Sequence, residues 1–257
     1  RVPFVIGGGF GLISLYLRRF LQETPVFKKM RESKALAKFP LEEVVKTSRF
    51  GIWISMFITW VLTGCIVVFI LLMPGFVGGV LGFSPFETTY FQMGGLVCIV
   101  SSCWLTGRLA DKHNPSTLCI LFSAGFAVSS VAFFSLLYTA APVVSEVVLA
   151  YFATCFFAGI MNFCPIFMCD VFPARIRFSG ISFAYNIAYA LSGAFTPQLS
   201  FALHAYAKTH PDTLGAMGLS AYIVFLALVS IGTALAMRRV YKNGGAAVSQ
   251  MEFRPAP

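Results

Sequence analysis

Residues 91–138 read FQMGGLVCIVSSCWLTGRLADKHNPSTLCILFSAGFAVSSVAFFSLLY, and they indicate the solvent in which this chain folds. Two apolar runs are joined by a short polar loop that carries Arg108, Asp111 and Lys112. Each run approaches or exceeds the ~20 residues that a helix needs to cross about 30 Å of hydrocarbon. The stretch therefore predicts two membrane-spanning helices connected by a tight turn at one membrane surface.

The composition of the whole chain agrees with this prediction. Of the 257 residues, 58% are hydrophobic and only 11% are charged, whereas soluble domains carry about 25% charged residues. Strands of a membrane barrel would be about 10 residues long and would alternate polar with apolar side chains. The apolar runs here are continuous and longer, so the sequence predicts an all-α integral membrane protein.

Seven apolar segments predict the membrane spans. They are 2–17, 50–73, 87–106, 116–138, 147–169, 179–203 and 214–237. The connections between them are short except for 18–49, which is densely charged. That composition is typical of a surface loop with one or two short amphipathic helices.

The positive charges predict the orientation of these spans. Loops 18–49, 107–115 and 170–178, together with the tail after 237, hold seventeen of the nineteen Lys and Arg residues. Because Lys and Arg accumulate on the cytoplasmic side of membranes, these loops and the C-terminus are predicted to be cytoplasmic. The net charge of +9 is thus a topology signal and requires no nucleic-acid partner.

The order of the spans raises the question of what precedes them. This topology places Arg1 outside and Pro257 inside, and the first span is short and starts without Met. Seven spans fit poorly with a complete transporter built from paired repeats, but they fit the last seven helices of twelve. A seven-span receptor or retinal protein is the alternative, although the last predicted span contains no Lys for a Schiff base.

The cysteines and the titratable residues give no indication of an enzyme. The seven cysteines fall almost entirely inside apolar runs, so we interpret them as small buried side chains rather than disulfides or metal ligands. We expect no metal and no cofactor. His204 and His210 are predicted to be solvated near the outer surface.

Three motifs resemble one family of membrane proteins. Gly107, Asp111 and Lys112 match the loop motif Gly-x-x-x-Asp-Arg/Lys of the major facilitator superfamily, although His113-Asn114-Pro115 replaces its second half. The stretch DVFPARIRFSG, residues 170–180, with ISFAYNIAYALSGAFTP after it, is similar to the metabolite:proton symporter branch. The opening stretch, RVPFVIGGGFGLISLYLRRFLQETPVF, resembles the same branch.

The resemblance implies a domain organisation. The seven spans would be helices 6–12 of a twelve-helix major facilitator fold. Residues 1–17 would end an N-terminal bundle, 18–49 would be the cytoplasmic central loop, 50–240 a six-helix bundle and 241–257 a cytoplasmic tail.

The resemblance also implies a gate at the cytoplasmic ends of the helices. Carboxylates, helix ends and Arg side chains can form electrostatic latches in one conformational state only. For Arg175 and Arg177 the alternative is that they only solvate and orient a loop. The candidate gate residues are Gly107, Arg108, Asp111, Lys112, Asp170, Arg175 and Arg177.

Polar side chains inside the spans are the candidates for a substrate cavity. Ser182, Asn186, Tyr189 and Gly193 share one helical face by their spacing, and amides in hydrocarbon are costly unless paired or hydrated. The alternative is that these groups only form hydrogen bonds between helices. The cavity candidates are Trp60, Thr63, Gln92, Asn162, Tyr185, Asn186 and Tyr189.

The resemblance implies a secondary active transporter with several spans in a plasma membrane, and we expect that membrane to be a bacterial inner membrane. We expect proton-coupled symport of a small organic acid or zwitterionic osmolyte by alternating access. A facilitated-diffusion or drug-efflux carrier of the same fold is the alternative. No carboxylate or Lys lies near the middle of a span, so a proton-binding group is expected in the N-terminal half.

Overall fold

The computed structural model describes residues 1–20, 28, 39–139, 141–210 and 213–242, with only the backbone described at 213–216. All regular secondary structure in these ranges is helical. The contacts divide the chain into two compact units, Arg1–Lys38 with Phe253–Pro257, and Phe39–Glu252. In the first unit, helix α1 is Val2–Arg18.

The second unit contains six long helical segments preceded by one short helix, among the residues described there. The short helix α2 is Pro40–Thr47. The bounds of the long segments, in chain order, are α3 Arg49–Cys65 continued by a π-helix Ile66–Leu72 and α4 Met73–Leu81; α5 Pro85–Ala110; α6 Pro115–Leu137; α7 Val144–Phe157 continued by a 3₁₀-helix Ala158–Asn162 and α8 Phe163–Val171; α9 Ala174–Thr209; and α10 Thr213–Lys242.

The predicted all-helical membrane fold is confirmed, and each of the seven predicted spans coincides with a helical segment. Five segments are long and apolar enough to cross a membrane: Arg49–Leu81, Pro85–Ala110, Pro115–Leu137, Val144–Val171 and Met217–Lys242. The other two predicted spans fall short of this for different reasons. Helix α1 has only 17 residues, and α9 has 36 residues but carries polar side chains such as Asn186 and Gln198.

The turns between spans follow from local sequence. Ser84 and Glu87 form a capping box at the start of α5, which satisfies backbone N–H groups that have no partner inside the helix. Gly82 ends α4 in the left-handed conformation at φ 69°. At the start of α6, the Asn114 side chain accepts a hydrogen bond from the Ser116 N–H at 2.9 Å. His113-Asn114-Pro115 is therefore a helix-starting turn, since Pro also fits the first helical position.

The long helices pack around a core rich in aromatic side chains. The rings of Phe69, Phe126, Phe133 and Phe134 are fully buried and contact one another. Helix α9 packs against α3, and α6 packs against both α7 and α10. The buried positions of α9 that recur every four residues all carry small side chains, which lets neighbouring helices approach closely: Gly180, Ala184, Ala188, Ser192, Thr196 and Ser200.

The charged segment 18–49 is described only in part. Its amphipathic helix α2 confirms one of the short helices predicted there, and it buries Val44. The remainder of the predicted loop, 21–27 and 29–38, and the predicted tail from 243 onward lie outside the described residues.

All seven cysteines are free in the structure. The prediction of burial was wrong for Cys169, which is exposed near the end of α8. Cys98 and Cys103 are only partly buried.

Candidate functional site

A hydrogen-bonded cluster joins α3, α9 and α10 in the interior of the second unit. The Tyr222 hydroxyl lies 2.7 Å from Thr196 Oγ1 and accepts a hydrogen bond from Trp60 Nε1 at 3.4 Å. Ser192 Oγ lies 3.3 Å from Thr196 Oγ1 and donates to the Trp60 carbonyl at 3.4 Å. The cluster fixes the half-buried indole of Trp60 with its ring centroid 6.1 Å from that of Phe195.

The accessible face of α9 lies beside this cluster. Asn186 is exposed, and its side-chain amide donates to the Ser182 carbonyl at 2.7 Å. The rings of Tyr185 and Tyr189 stack with centroids 5.4 Å apart and an interplanar angle of 25°. Tyr189 is 40% exposed. The Asn186 amide and the Tyr185–Tyr189 ring pair are therefore accessible from outside the helix bundle.

Thr63, one of the cavity candidates, lies in a closely packed part of α3. It is 1% exposed, and its hydroxyl donates to the Thr59 carbonyl at 2.9 Å within its own helix. Thr59 is itself buried, with its hydroxyl 3.7 Å from Cys164 Sγ. The face of α3 that carries these two hydroxyls therefore packs against other helices. Helix packing accounts for its polar atoms without a bound ligand.

Gln92 forms a hydrogen bond between two helical segments. Its side-chain amide donates to the Ile70 carbonyl at 2.7 Å, and the Tyr151 hydroxyl donates to the Phe69 carbonyl at 2.9 Å. Both carbonyls belong to the π-helix Ile66–Leu72. A π-helix departs from the regular hydrogen-bonding ladder, and here side chains of α5 and α7 supply two additional donors to it.

Asn162 is also partnered across a helix interface. Its amide donates to the Cys103 carbonyl at 3.1 Å and to Thr106 Oγ1 at 3.2 Å. A side chain added at Gly107 would lie 3.5 Å from the same amide nitrogen. For Asn162 and Gln92 the structure thus supplies the interhelical hydrogen bonds that were the alternative to a cavity role.

Three of the predicted gate residues have partners outside the predicted set, among the residues that the structure describes. Arg175 forms an ion pair with Glu43 of α2. Arg177 Nε donates to the Phe172 carbonyl at 3.1 Å, and Asp170 accepts a hydrogen bond from the Tyr241 hydroxyl at 2.5 Å. These partners come from α2, α10 and the α8–α9 turn, which loop sequences alone do not reveal.

The turn between α5 and α6 carries the remaining gate candidates. Asp111 and Lys112 are exposed. The guanidinium of Arg108 lies over the Trp104 ring at 4.2 Å, a cation–π contact. Asp111 and Lys112 are therefore accessible to another protein surface, and their gating role stays a prediction.

His204 was predicted to be solvated, and this was wrong. Its ring stacks on Phe76 with centroids 4.0 Å apart, and its Nδ1 lies 2.5 Å from the Tyr138 hydroxyl. The stack forms because the ends of α4, α6 and α9 converge there. His210 is exposed as expected.

Of this cluster only Trp60 was among the sequence candidates, whereas Ser192, Thr196, Tyr222 and the neighbouring Phe195 were not. Tyr222 is a hydroxyl-bearing side chain inside the apolar run of α10, which is the signal that selected Thr63 and Tyr189. Phe195 carries no such signal, since it is one of 28 Phe residues. Within the described residues, no group of three His, Cys, Asp or Glu side chains could hold a metal ion.

Comparison with known proteins identifies relatives over most of the chain. The family model described as Major Facilitator Superfamily matches residues 1–197. The inner membrane metabolite transport protein YhjE of Escherichia coli is 28% identical over 233 residues, which cover 85% of this chain and 50% of that protein.

Two further relatives have related names. A Staphylococcus haemolyticus protein named for proline/betaine transport is 23% identical, over 77% of this chain and 42% of the relative. A Haemophilus influenzae protein named for metabolite transport is 24% identical, over 90% and 52%. The chain thus spans about half the length of the curated relatives it matches. No solved structure matches it significantly.

Proposed function

Because this chain belongs to the Major Facilitator Superfamily, we propose that it supplies helices six to twelve of a twelve-helix secondary transporter. Seven helical segments over a length about half that of the relatives support this assignment. The first five helices would precede α1, and the two halves would rock about a site between them. In this proposal the protein is a carrier in a bacterial inner membrane, with the Lys- and Arg-rich loops in the cytoplasm.

The accessible face of α9 is the observation that carries the proposal. It presents the Asn186 amide and the Tyr185–Tyr189 ring pair. Pro197 has no N–H, so the Gly193 carbonyl lacks its usual helical donor and is a further acceptor on this face. Polar groups left accessible in a membrane helix are costly unless they face water or a ligand.

The chemistry of this face favours a zwitterionic osmolyte over an organic acid as substrate. Amide and carbonyl oxygens can accept hydrogen bonds from an ammonium N–H, and aromatic rings can hold a protonated or a quaternary ammonium group through cation–π contacts. The described Arg and Lys residues lie toward the ends of their helical segments or in turns, so none stands mid-span to bind a carboxylate. The relative named for proline/betaine transport is consistent with this substrate class.

Proton coupling would require a group outside these helices. Glu87, Glu146 and Asp170 lie within three residues of the ends of their segments, and Asp111 lies in a turn. In this proposal the residue that binds and releases the proton belongs to the preceding half. Facilitated diffusion is the second candidate, since the same distribution of carboxylates fits a carrier without coupling.

Proteoliposomes that contain the complete protein separate these two functions. We expect radiolabelled proline or glycine betaine to accumulate above its external concentration when an inward pH gradient is imposed, and a protonophore to abolish accumulation. Equilibration without accumulation would support facilitated diffusion. No uptake of zwitterions, with uptake of citrate or α-ketoglutarate, would reject the proposed substrate class.

The role of the α9 face is tested by Asn186→Ala. Loss of one hydrogen bond to a charged group of the substrate should raise the apparent KM at least about tenfold. Leu191→Ala is the matched control, because Leu191 is 53% exposed on the same helix but about 140° around it. An unchanged KM in Asn186→Ala would remove Asn186 from the site.

A further inference from the structure

An open apolar groove lies between the start of α3 and the end of α10, away from the α9 face. Its volume is about 360 Å³. One wall consists of Phe50, Trp53, Ile54 and Phe57, and the other of Val229, Gly232, Thr233 and Ala236. Each wall covers about 10 Å of helix, so the groove could hold an extended hydrocarbon chain.

Gly232 keeps the middle of this groove open. It is exposed, and a side chain added there would find no atom within 4 Å. Across the groove, Trp53 is 58% exposed and Phe57 is 45% exposed, with their rings stacked at 5.7 Å. Large apolar surfaces of this kind are stable only when hydrocarbon or another apolar surface covers them.

The groove ends beside basic side chains. Phe50 immediately follows Arg49, the first residue of α3. On the other wall, Ala236 is followed one turn later by Arg239, and both Arg49 and Arg239 are exposed. Neither takes part in an ion pair with any residue that the structure describes.

The two carboxylates nearest to Arg49 in sequence already form ion pairs with other residues. Glu42 pairs with Lys46, and Glu43 pairs with Arg175. Within the described residues, the basic end of the groove therefore keeps its positive charge available. Because this end carries Trp53 and coincides with the ends of two spans, we expect it at the depth of lipid headgroups.

We propose that this groove binds an anionic glycerophospholipid, with one acyl chain against Gly232 and the phosphate at Arg49 and Arg239. The apolar walls match the acyl chain, and the two guanidinium groups match a phosphate that carries a net negative charge. The lipid comes from the leaflet that contacts the basic loops. This site is independent of the substrate and of the coupling mechanism.

The test uses the complete protein purified in detergent. Phosphatidylglycerol or phosphatidylcholine with identical acyl chains is added, and native mass spectrometry and Tm report binding and stabilisation. We expect phosphatidylglycerol to be retained preferentially and to raise Tm more than phosphatidylcholine does. Equal retention and equal Tm shifts for the two lipids would overturn the proposal.

Two pairs of variants locate the site. Gly232→Leu should remove most of the bound phosphatidylglycerol, whereas Gly75→Leu should not, because Gly75 is exposed and equally open but lies in α4. Both substitutions gain similar helix propensity, which makes the pair matched. Retention of phosphatidylglycerol by Gly232→Leu at the wild-type level would overturn the proposal.

Arg49→Gln and Arg239→Gln test the headgroup contact without altering the groove. Each should weaken phosphatidylglycerol binding roughly fivefold and leave phosphatidylcholine binding unchanged. Lys208→Gln, which removes an exposed positive charge near the end of α9, is the control. A loss of equal size in Lys208→Gln would reject the assignment to Arg49 and Arg239.

Discussion

Gln92 shows how a single polar side chain in a membrane helix can serve the backbone of its neighbour. Its amide reaches the Ile70 carbonyl in the π-helix, and Tyr151 reaches Phe69 from another helix. These two donors stabilise a stretch of backbone that a regular α-helix would satisfy by itself. Gln92 therefore positions the segment that follows Trp60 along the same span.

Gln92→Leu should lower the free energy of unfolding by about 1 kcal/mol, because hydrogen bonds between membrane helices have modest net energies. Tyr151→Phe, which removes only a hydroxyl, should have a similar effect. The measurement is unfolding of the purified protein in mixed micelles. Thr89→Val is the control, since the Thr89 hydroxyl bonds only within its own helix. Wild-type stability in both Gln92→Leu and Tyr151→Phe would contradict this role for the donors.

At the scale of elements, α2 is an amphipathic helix attached to the helix bundle. Val44 is fully buried, and the ion pair between Glu43 and Arg175 joins α2 to the first turn of α9. Both side chains of the pair are only about one-fifth exposed. The position of α2 thus depends on the same helix that carries the accessible Asn186 face.

Glu43→Arg should release α2 and raise the hydrogen-exchange rate of its backbone amides about three- to fivefold, as expected for the loss of up to about 1 kcal/mol. Combining it with Arg175→Glu should restore protection, because the charges are exchanged. Glu42→Arg tests an exposed pair on the same helix and should change exchange in α2 much less. Failure of the charge exchange to restore protection would show that the pair does not hold α2.

At the scale of the whole molecule, hydropathy predicts where the helical segments lie in the sequence but not which helices pack together. Each predicted span coincides with a helix because the backbone N–H and C=O groups of a chain in hydrocarbon must form hydrogen bonds within their own segment. Hydropathy contains no information about which carbonyl faces Gln92 or which helix faces Arg175, since those contacts depend on the rotation of each helix. The accessible positions of Asn186 and Tyr189 follow from helical spacing, whereas burial of Thr63 depends on a neighbouring helix.

The predicted topology is tested by cysteine labelling of whole cells with a membrane-impermeant maleimide. In a Cys169→Ser background, Lys208→Cys should be labelled in intact cells, and Lys112→Cys only after permeabilisation. Both positions are exposed and lie toward opposite ends of long helices. The reverse pattern would invert the orientation derived from the distribution of Lys and Arg.

The row of small side chains on α9 also limits how this protein can evolve. At each of these buried positions a larger side chain would press on the group packed there, such as Phe172 at Gly180 or α3 at Ser192, so single substitutions cost stability. Asn186 and Tyr189 are exposed and can change without displacing a neighbouring helix. Selection can therefore change the exposed side chains of α9, which would meet the substrate, while the small size of its buried side chains is conserved.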